Sequence, residues 1–306
     1  MKHKCLIIYN PNSGKALHGH VLSQYRKILH KNGYLVDVIK TKYCLHAADV
    51  VANANDYDIV FSIGGDGTLN EVVKGNYLRE EPLTICPLPS GTCNDVASML
   101  GYGKDPIENL NMALNGDIHQ IDIGTINNQP FIYVVGMGQF MHIPYETNRE
   151  AKKKVGYFAY IKDGLLELFD KFKNYKMEIE VDNFKFEGEY SLVMVSNSNH
   201  IAGIDGFHKN VYLDDGEMEV ILCKSNNKTE FITDFFSFFL GQDTSNIITL
   251  RAHNIKVNLK EKLKKKWCID GEKYDYDGMQ YHITVDRQMN FLVPSEKTKT
   301  RKLFIK

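Results

Sequence analysis

At 306 residues, the chain exceeds a typical single domain and can form two moderate ones, and its 43% hydrophobic content is sufficient for packed cores. The formal net charge of −1 gives no global basic field, so no nucleic-acid partner is predicted. There is no apolar run of about 18 residues, which argues against a transmembrane helix, and the six cysteines lack CxxC spacing, which is typical of reduced thiols in a cytosolic protein.

The first part of the chain alternates short apolar runs with segments of helical spacing. Such alternation predicts an α/β domain, with a parallel sheet wrapped by helices. The predicted strands cover residues 5–9, 34–40, 59–63 and 83–86. The predicted helices cover residues 21–31, 47–54, a segment after residue 68 and a segment from residue 94.

From residue 120 onward, strand-like runs follow one another with few helices between them. This pattern predicts a mostly antiparallel β-sandwich. We therefore expect an α/β domain over residues 1–118, a β-sandwich over residues 119–294 and a solvated basic tail over residues 295–306. The predicted strands cover residues 120–125, 131–136, 175–181, 184–189, 190–196, 219–224, 254–259, 267–269, 281–285 and 289–293.

Two helical segments interrupt the β region, at residues 150–173 and 229–240. Both have apolar faces, and the first begins beside the basic run 152–154. An apolar face beside basic residues favours an anionic bilayer. The same faces are also typical of helices that cover the core of a β domain, and we prefer that interpretation for both.

The stretch IGGDGTLNEVVKG, residues 63–75, joins a predicted buried strand to a predicted helix. Glycines at such a turn let the backbone approach a ligand, and the helix N-terminus offers N–H groups to an anion. An aspartate at this position is a poor direct partner for phosphate and would instead organise Mg²⁺ or water beside a nucleotide. The alternative is an ordinary strand-to-helix turn whose aspartate caps the helix.

Two further loops have the same character. PLPSGTCNDVASMLG, residues 87–101, and YNPNSGK, residues 9–15, each follow or include the end of an apolar strand and contain small and polar residues. For the first of them, an ordinary Asn/Asp-rich helix start is the alternative. Three such loops suit the crevice at the carboxyl ends of a parallel sheet, where ligands bind in α/β folds.

Together, the motifs NPNSGK, GGDGTLNEVV and PSGTCND, in this order, resemble the diacylglycerol kinase-like catalytic domain, in particular the soluble bacterial lipid kinases of that family. The similarity extends to about residue 294. NAD kinases and phosphofructokinases share GGDGT, but PSGTCND matches the lipid-kinase pattern Pro-x-Gly-Thr-x-Asn-Asp. The resemblance implies that ATP and Mg²⁺ are used to phosphorylate the hydroxyl of diacylglycerol, giving phosphatidic acid. Another lipid alcohol (a sphingoid base or a monoacylglycerol), NAD, and a non-catalytic nucleotide-binding regulator are the alternatives.

The resemblance also implies roles for individual residues. It assigns Asp66, Asp95 and Asp122 to the network around Mg·ATP, and it assigns Glu272, in CIDGEKY, as the base for the lipid hydroxyl. From the residues alone, Asp-Gly-Glu is typical of a hairpin turn. The implied nucleotide-binding residues are Asn10, Pro11, Asn12, Ser13, Gly14, Lys15, Thr41, Gly64, Gly65, Asp66, Gly67, Thr68, Glu71, Gly91, Thr92 and Asn94.

A second metal site is implied in YLDDGEMEV, where the soluble bacterial members carry a structural Mg²⁺. Asp215 would supply the side-chain ligand, with backbone carbonyls near Tyr212 and Glu217, since hard cations accept mixed oxygen ligands. A lipid acceptor implies transient contact with a membrane, so we expect a cytoplasmic protein that is peripheral at the inner membrane surface. A homodimer, as some soluble relatives form, is also expected.

Overall fold

A computed structural model of the chain describes residues 3–13, 19–139, 141, 172–201, 204–205, 211–295 and 300–305. The chain forms two compact units. The first unit combines residues 1–123, 212–215 and 287–306, and the second combines residues 124–211 and 216–286. This division differs from the predicted domains, because the chain returns to the first unit twice after residue 123.

The first unit is built on the parallel strands β1 (Lys4–Tyr9), β2 (Leu35–Lys40), β3 (Ile59–Gly64) and β4 (Thr84–Pro89). They are arranged in the order β2-β1-β3-β4. All six residues of β3 are buried, whereas β2, at the edge, alternates between exposed and half-buried positions. Burial along the whole length of a strand is expected at the centre of a parallel sheet, where both faces are covered.

Five helices accompany these strands: α1 (Gly19–Lys31), α2 (His46–Ala52), α3 (Asp66–Tyr77), α4 (Asp95–Met99) and α5 (Pro106–Leu114). α5 was not predicted from the sequence. Its signal was present, because Asp105 accepts a hydrogen bond from the backbone N–H of Glu108 and Pro106 occupies the first turn. The other four helices occupy the positions that the apolar spacing predicted.

The later elements are β5 (Asp117–Ile126), β6 (Gln129–Phe131), β7 (Val134–Gly138), β8 (Tyr175–Val181), β9 (Phe184–Tyr190), β10 (Leu192–Ser196), β11 (His200–Ile201), β12 (Ile204–Asp205), β13 (Met218–Cys223), α6 (Lys228–Phe239), β14 (Ile247–Ala252), β15 (Asn254–Leu259), β16 (Cys268–Ile269), β17 (Glu272–Lys273), β18 (Gln280–Val293) and the 3₁₀ helix Thr300–Leu303. Most of the predicted strands match one of these elements. β14 was missed, and the predicted helix over residues 150–173 lies almost entirely outside the described residues.

The described part of the second unit contains two large antiparallel sheets and a two-stranded one formed by β11 and β12. One has the order β14-β13-β10-β7-β16-β17, and in the other β18 pairs with β15, β15 with β8 and β8 with β9. Side chains from both sheets share one core, which includes Val193 and Val220 from the first sheet, Ile179 and Val257 from the second, and the buried Trp267. The predicted fold class is confirmed: a parallel α/β part and an antiparallel β-sandwich.

β18 is one strand of 14 residues, whereas the sequence analysis predicted two strands at 281–285 and 289–293. Its first half pairs with β15, and in its second half Phe291 pairs in parallel with Ile85 of β4. Within the first unit, Arg287 donates hydrogen bonds to the backbone carbonyls of Tyr77 and Arg79. These contacts explain why the chain from residue 287 belongs to the first unit.

The predicted solvated tail is wrong for residues 303 and 304, whereas Ile305 is exposed. Leu303 and Phe304 are buried, and Phe304 stacks on His119 with ring centroids 4.1 Å apart. The carbonyl of Leu303 accepts a hydrogen bond from the N–H of Leu213. The burial of Leu303 and Phe304 offsets the conformational entropy that is lost when this segment is ordered. These two residues therefore hold the segment on the first unit.

Candidate functional site

The loops that follow β1, β3 and β4 meet at one edge of the parallel sheet. The N–H of Asn10, after β1, donates to the carbonyl of Ile63 at 3.0 Å, and the N–H of Ser90, after β4, donates to the carbonyl of Gly64 at 2.8 Å. Parallel strands place their carboxyl ends together, and each of these bonds continues the pairing by one residue. The three motifs found in the sequence are therefore neighbours in space.

Gly65 and Gly91 bring two of these loops into backbone contact. A Cβ added to Gly91 would lie 2.4 Å from the Cα of Gly65, and one added to Gly65 would lie 3.2 Å from the Cα of Gly91. Asn94 supports this approach from the side, because its amide accepts from the N–H of Gly91 at 2.8 Å and donates to the carbonyl of Gly91 at 3.0 Å. Space explains the choice of glycine at both positions.

Hydrogen bonds between side chains join the loops further. Asn10 donates from its amide to the hydroxyl of Thr68 at 2.9 Å, and the hydroxyls of Ser13 and Ser90 share a bond of 2.9 Å. The side-chain oxygen of Asn10 also accepts from the N–H of Asn12. Residues predicted from two separate motifs are thus connected, and Ser90 is an additional member that the sequence analysis did not single out.

Asp66 and Asp95 each occupy the first position of a helix, α3 and α4 respectively. The N–H of Val96, in α4, donates a long hydrogen bond of 3.4 Å to the carboxylate of Asp66. Burial raises the pKa of Asp66, and the negative charge of Asp95 raises it further. A buried carboxyl group whose pKa is raised by a neighbouring charge forms a site that gains from a bound proton or cation.

The surroundings of this pair are small and polar. Asp66 and Asn94 line a cavity of about 10 Å³ together with Ser62, Gly65 and Ala97. That volume is close to what a single water molecule requires. The cavity marks the point where the GGDG and PSGTCND segments meet.

The other predicted nucleotide-binding residues that the structure describes belong to these loops or to elements next to them, and Glu71 has a separate contact. The carboxylate of Glu71 accepts from the N–H of Ala47, in the first turn of α2, at 3.1 Å. The N–H of Thr41, after β2, donates to the carbonyl of Tyr9 at 2.9 Å, next to the loop after β1. Thr92 belongs to the loop before α4, and Pro11 to the loop after β1, while Gly67 is in α3. Gly14 and Lys15 lie outside the described residues.

Asp122 is buried in the first unit and is held by segments distant in sequence. Its N–H donates to the carbonyl of Leu213 at 2.7 Å, and its carboxylate accepts from the side-chain amide of Gln288 at 2.8 Å. The same amide reaches the carbonyl of Asp214 at 3.2 Å. Nothing in the sequence identified Gln288, because its role depends on the return of the chain to the first unit.

Glu272 is exposed and belongs to β17, in a two-residue hairpin of the second unit. The turn residues Asp270 and Gly271 have φ values of 46° and 81°, as expected for the tight turn that Asp-Gly predicts. The carboxylate of Asp270 points inward and accepts hydrogen bonds from the N–H groups of Ile132, Tyr133 and Val134, at 2.8, 3.0 and 3.1 Å. Asp270, which the sequence analysis overlooked, therefore fixes the turn that carries Glu272.

The segment predicted to bind a structural cation contains a turn at Gly216, where φ is +79°. Glu217 forms an ion pair with Arg251 at 3.3 Å, and the carbonyl of Gly216 lies 3.1 Å from Nδ1 of His253. Tyr212 and Asp215 belong to the first unit and Glu217 to the second. Among the residues that the structure describes, no group of three or more His, Cys, Asp or Glu side chains is arranged to hold a metal ion.

Two protein-family models match successive parts of the chain, and the first covers the three loop motifs. A family model for the diacylglycerol kinase catalytic domain matches residues 4–126, and a model for the YegS C-terminal NAD kinase beta sandwich-like domain matches residues 136–289. A diacylglycerol kinase of Bacillus subtilis (strain 168) is 31% identical over 299 residues, which cover 95% of this chain and 96% of that protein. A diacylglycerol kinase of Staphylococcus aureus (strain JH9) is 29% identical over 300 residues, covering 97% and 94%.

The similarity of fold to a solved structure also covers nearly the whole chain. A crystal structure of a diacylglycerol kinase from Bacillus anthracis str. Sterne superposes with a TM-score of 0.74 at 23% identity, covering 96% of this chain and 97% of that one. Among the described residues, no helix has the length and hydropathy needed to cross a bilayer.

Proposed function

Because this chain belongs to the diacylglycerol kinase catalytic domain family, we propose that it transfers the γ-phosphate of ATP to the hydroxyl of diacylglycerol, giving phosphatidic acid and ADP. Family membership makes it a lipid kinase that uses ATP. Relatives named diacylglycerol kinase in Bacillus and Staphylococcus support the choice of acceptor. The observation that carries the proposal is the backbone contact of Gly65 with Gly91 beside the Asp66–Asp95 pair.

The glycine contact suits a phosphate-binding surface. Phosphoryl transfer depends on positioning the phosphates and stabilising their charge, and backbone N–H groups at a helix N-terminus provide both. The first turn of α3 begins directly after Gly65, and the Asn10–Thr68 and Ser13–Ser90 bonds hold the loop after β1 beside it. In the proposed enzyme, these loops orient the triphosphate of ATP.

The acidic pair suits Mg²⁺ bound together with a nucleotide. In kinase sites, Mg²⁺ is bound through one or two carboxylates, with phosphate oxygens and water completing the coordination. Asp66 and Asp95 would be these carboxylates, and Asp122, which is oriented by Gln288, would complete the network. When bound, Mg²⁺ neutralises charge that develops on the transferred phosphoryl group. The structural cation proposed at Asp215, Tyr212 and Glu217 is a separate site.

Glu272 is the proposed general base. The glutamate accepts the proton of the lipid hydroxyl as the hydroxyl oxygen attacks the γ-phosphorus, and ADP leaves. Two features support this role: the side chain is exposed, and it is attached to a turn that Asp270 anchors with three hydrogen bonds. A base that is held on a rigid turn loses little entropy when the substrate arrives.

Transfer of labelled γ-phosphate from ATP to diacylglycerol in mixed micelles, with and without Mg²⁺, tests the proposal. We expect Mg-dependent label in phosphatidic acid, and a rate about 10²- to 10⁴-fold lower for Glu272→Gln, which keeps the size of the side chain but cannot act as the base. Glu189→Gln is the matched control, because Glu189 is also an exposed acid on a strand of the second unit.

Other results would redirect the assignment in defined ways. Transfer that is unaffected in Glu272→Gln would remove Glu272 as the base but keep the kinase. If ATP binds but no label enters diacylglycerol, a sphingoid base, a monoacylglycerol and NAD are the acceptors to test next. If all of these fail while nucleotide binding persists, the chain acts as a nucleotide-binding regulator.

A further inference from the structure

Helix α6 (Lys228–Phe239) has an inner apolar face that packs on the second unit. Phe231 is buried, and its ring stacks on Phe235 with centroids 5.0 Å apart and contacts Phe172 at 6.0 Å. This face agrees with the predicted role of the helix, which was to cover the β domain. It accounts for only part of the helix's apolar residues.

An outer face of the same helix is apolar and exposed. Ile232 is 40% exposed, Phe236 is 66% exposed, and Leu240, directly after the helix, is 61% exposed. A spacing of four residues places them in one line along the helix. Thr229 and Thr233 are also exposed and lie on the same side. We call these five residues the outer face; none of them is charged.

The two acids of α6 are turned away from the outer face. Asp234 is buried and accepts hydrogen bonds from the hydroxyl of Ser225 at 2.6 Å and the amide of Asn246 at 3.0 Å. Glu230 accepts from the N–H of Asn226 at 2.7 Å and from Asn246 at 2.8 Å. A surface that approaches the outer face therefore meets no carboxylate of this helix.

Basic residues flank the beginning of the helix. Lys228 is its first residue. Lys224 lies four residues earlier in the sequence, and its Nζ is 4.9 Å from the ring centroid of Tyr190. An exposed apolar strip with cations at one end and its acids directed inward has the charge distribution that favours an anionic lipid surface. The exposed acid that follows, Asp243, comes after the helix has ended.

The size of the outer face argues against a second copy of the chain as its partner. A helix of 12 residues is about 18 Å long and about 10 Å wide, so its outer face covers roughly 200 Å². A stable protein interface buries about 800 Å² on each partner. A bilayer has no such threshold, because each inserted apolar side chain strengthens partitioning separately.

We propose that the outer face of α6 docks in the interface of an anionic membrane. The proposal rests on the proposed function, because a lipid acceptor must be reached at a bilayer. Phe236 and Ile232 enter the boundary between headgroups and acyl chains, while Lys228 and Lys224 remain at the level of the phosphates. The helix thereby brings the second unit to the lipid surface without spanning it.

Binding to vesicles tests the proposal. The full chain, Ile232→Ser/Phe236→Ser and the control Phe184→Ser are compared by flotation with vesicles of phosphatidylcholine and phosphatidylglycerol. We expect the double variant to bind about 100-fold more weakly, since each lost apolar side chain corresponds to about tenfold in partitioning. Phe184→Ser should bind like the wild type, because Phe184 is as exposed as Leu240, at 61%, but lies in β9.

A second measurement separates docking from catalysis. All three proteins should phosphorylate a short-chain diacylglycerol, dissolved below its micellar concentration, at the same rate, because that substrate requires no membrane. If the wild type phosphorylates no lipid but the double variant still loses vesicle binding, the proposed function fails and the docking surface stands.

The docking surface would be overturned by a wild type that does not bind these vesicles, by a double variant that binds as tightly as the wild type, or by a Phe184→Ser variant that is weakened as much as the double variant. A wild-type dimer that becomes a monomer in the double variant, by light scattering, would assign the outer face to a second copy and overturn it as well. Thermal unfolding of each variant confirms that the proteins compared are folded.

Discussion

Two turn regions of this molecule position their candidate functional residues in opposite ways, one by the absence of side chains and the other by a buried side chain. In the first unit, the loops after β3 and β4 approach each other because Gly65 and Gly91 lack side chains. In the second unit, the turn before Glu272 is fixed by a side chain, since the carboxylate of Asp270 accepts three backbone N–H groups. Adding a Cβ atom at Gly65 or Gly91 should disrupt the first arrangement, and removing the carboxylate of Asp270 should disrupt the second. The comparison shows that similar glycine- and aspartate-rich motifs can serve different physical purposes.

The largest effect on stability is expected for Asp270→Ala. The substitution removes the acceptor of three buried N–H groups, and each unsatisfied group costs about 1–3 kcal/mol. We expect the free energy of unfolding to fall by about 3 kcal/mol or more, measured by urea denaturation. Asp275→Ala is the matched control, because Asp275 forms an exposed ion pair with Lys273 and its loss should change stability by less than about 1 kcal/mol. Equal stability of the two variants would contradict the role of Asp270.

The sequence indicated the Asp-Gly turn correctly but not the burial of Asp270. Asp-Gly favours the same tight turn whether the carboxylate points to water or inward. Its direction depends on residues 132–134, which lie more than a hundred positions earlier. Residues 132 and 133 separate β6 from β7, where the sequence predicted one strand over residues 131–136. A contact of this kind depends on the tertiary arrangement, so no local pattern could reveal it.

The next effect concerns the glycines, for which the chain offers a graded series. An added Cβ would lie 2.4 Å from the nearest atom at Gly91, 3.2 Å at Gly65 and 3.7 Å at Gly103. We expect Gly91→Ala to lower the free energy of unfolding by about 1–3 kcal/mol, Gly65→Ala to have a smaller effect and Gly103→Ala almost none. ATP affinity, measured by titration calorimetry, should follow the same order. If Gly91→Ala behaves like Gly103→Ala, space is not the reason for glycine at this position.

The parallel half of the fold was more accessible to prediction than the site. β3 and β4 appear in the sequence as mostly apolar runs, and the polar loops after them indicate the proposed binding edge. The proximity of the three loops followed from the general geometry of parallel sheets. The return of residues 287–306 to the first unit could not be predicted in this way, because Arg287, Gln288 and Phe304 gain their partners only after folding.

A smaller, pH-dependent effect is expected for Asp95→Asn. A carboxyl group with a raised pKa binds more protons in the folded state, so the stability linked to it is present at low pH and is lost as pH rises through the raised pKa. Asp66 is such a group, and the charge of Asp95 contributes to its raised pKa. In the ligand-free variant, we expect the loss of stability between about pH 4 and neutrality to shrink by about 1 kcal/mol, measured by urea denaturation across pH.

Asp56→Asn provides the control for this measurement. Asp56 is exposed in the same unit and has φ of 63°, which asparagine also tolerates. Its pH profile should match that of the wild type. An identical profile for Asp95→Asn would mean that the two carboxylates do not influence each other, and the case for a shared cation there would weaken.

The smallest effect is expected for the hydrogen bond between Ser13 and Ser90, which joins two loops at 2.9 Å. Ser13→Ala should weaken ATP binding by about 0.5–1 kcal/mol, or roughly two- to fivefold, because a neutral bond contributes little net free energy when water can replace it. A double-mutant cycle with Ser90→Ala isolates the pair, since the second substitution should add little after the first. If this coupling equals the effect of Gly91→Ala, hydrogen bonds rather than close backbone packing organise the proposed nucleotide-binding loops. The two turns would then be held by the same means, and the contrast between the units would disappear.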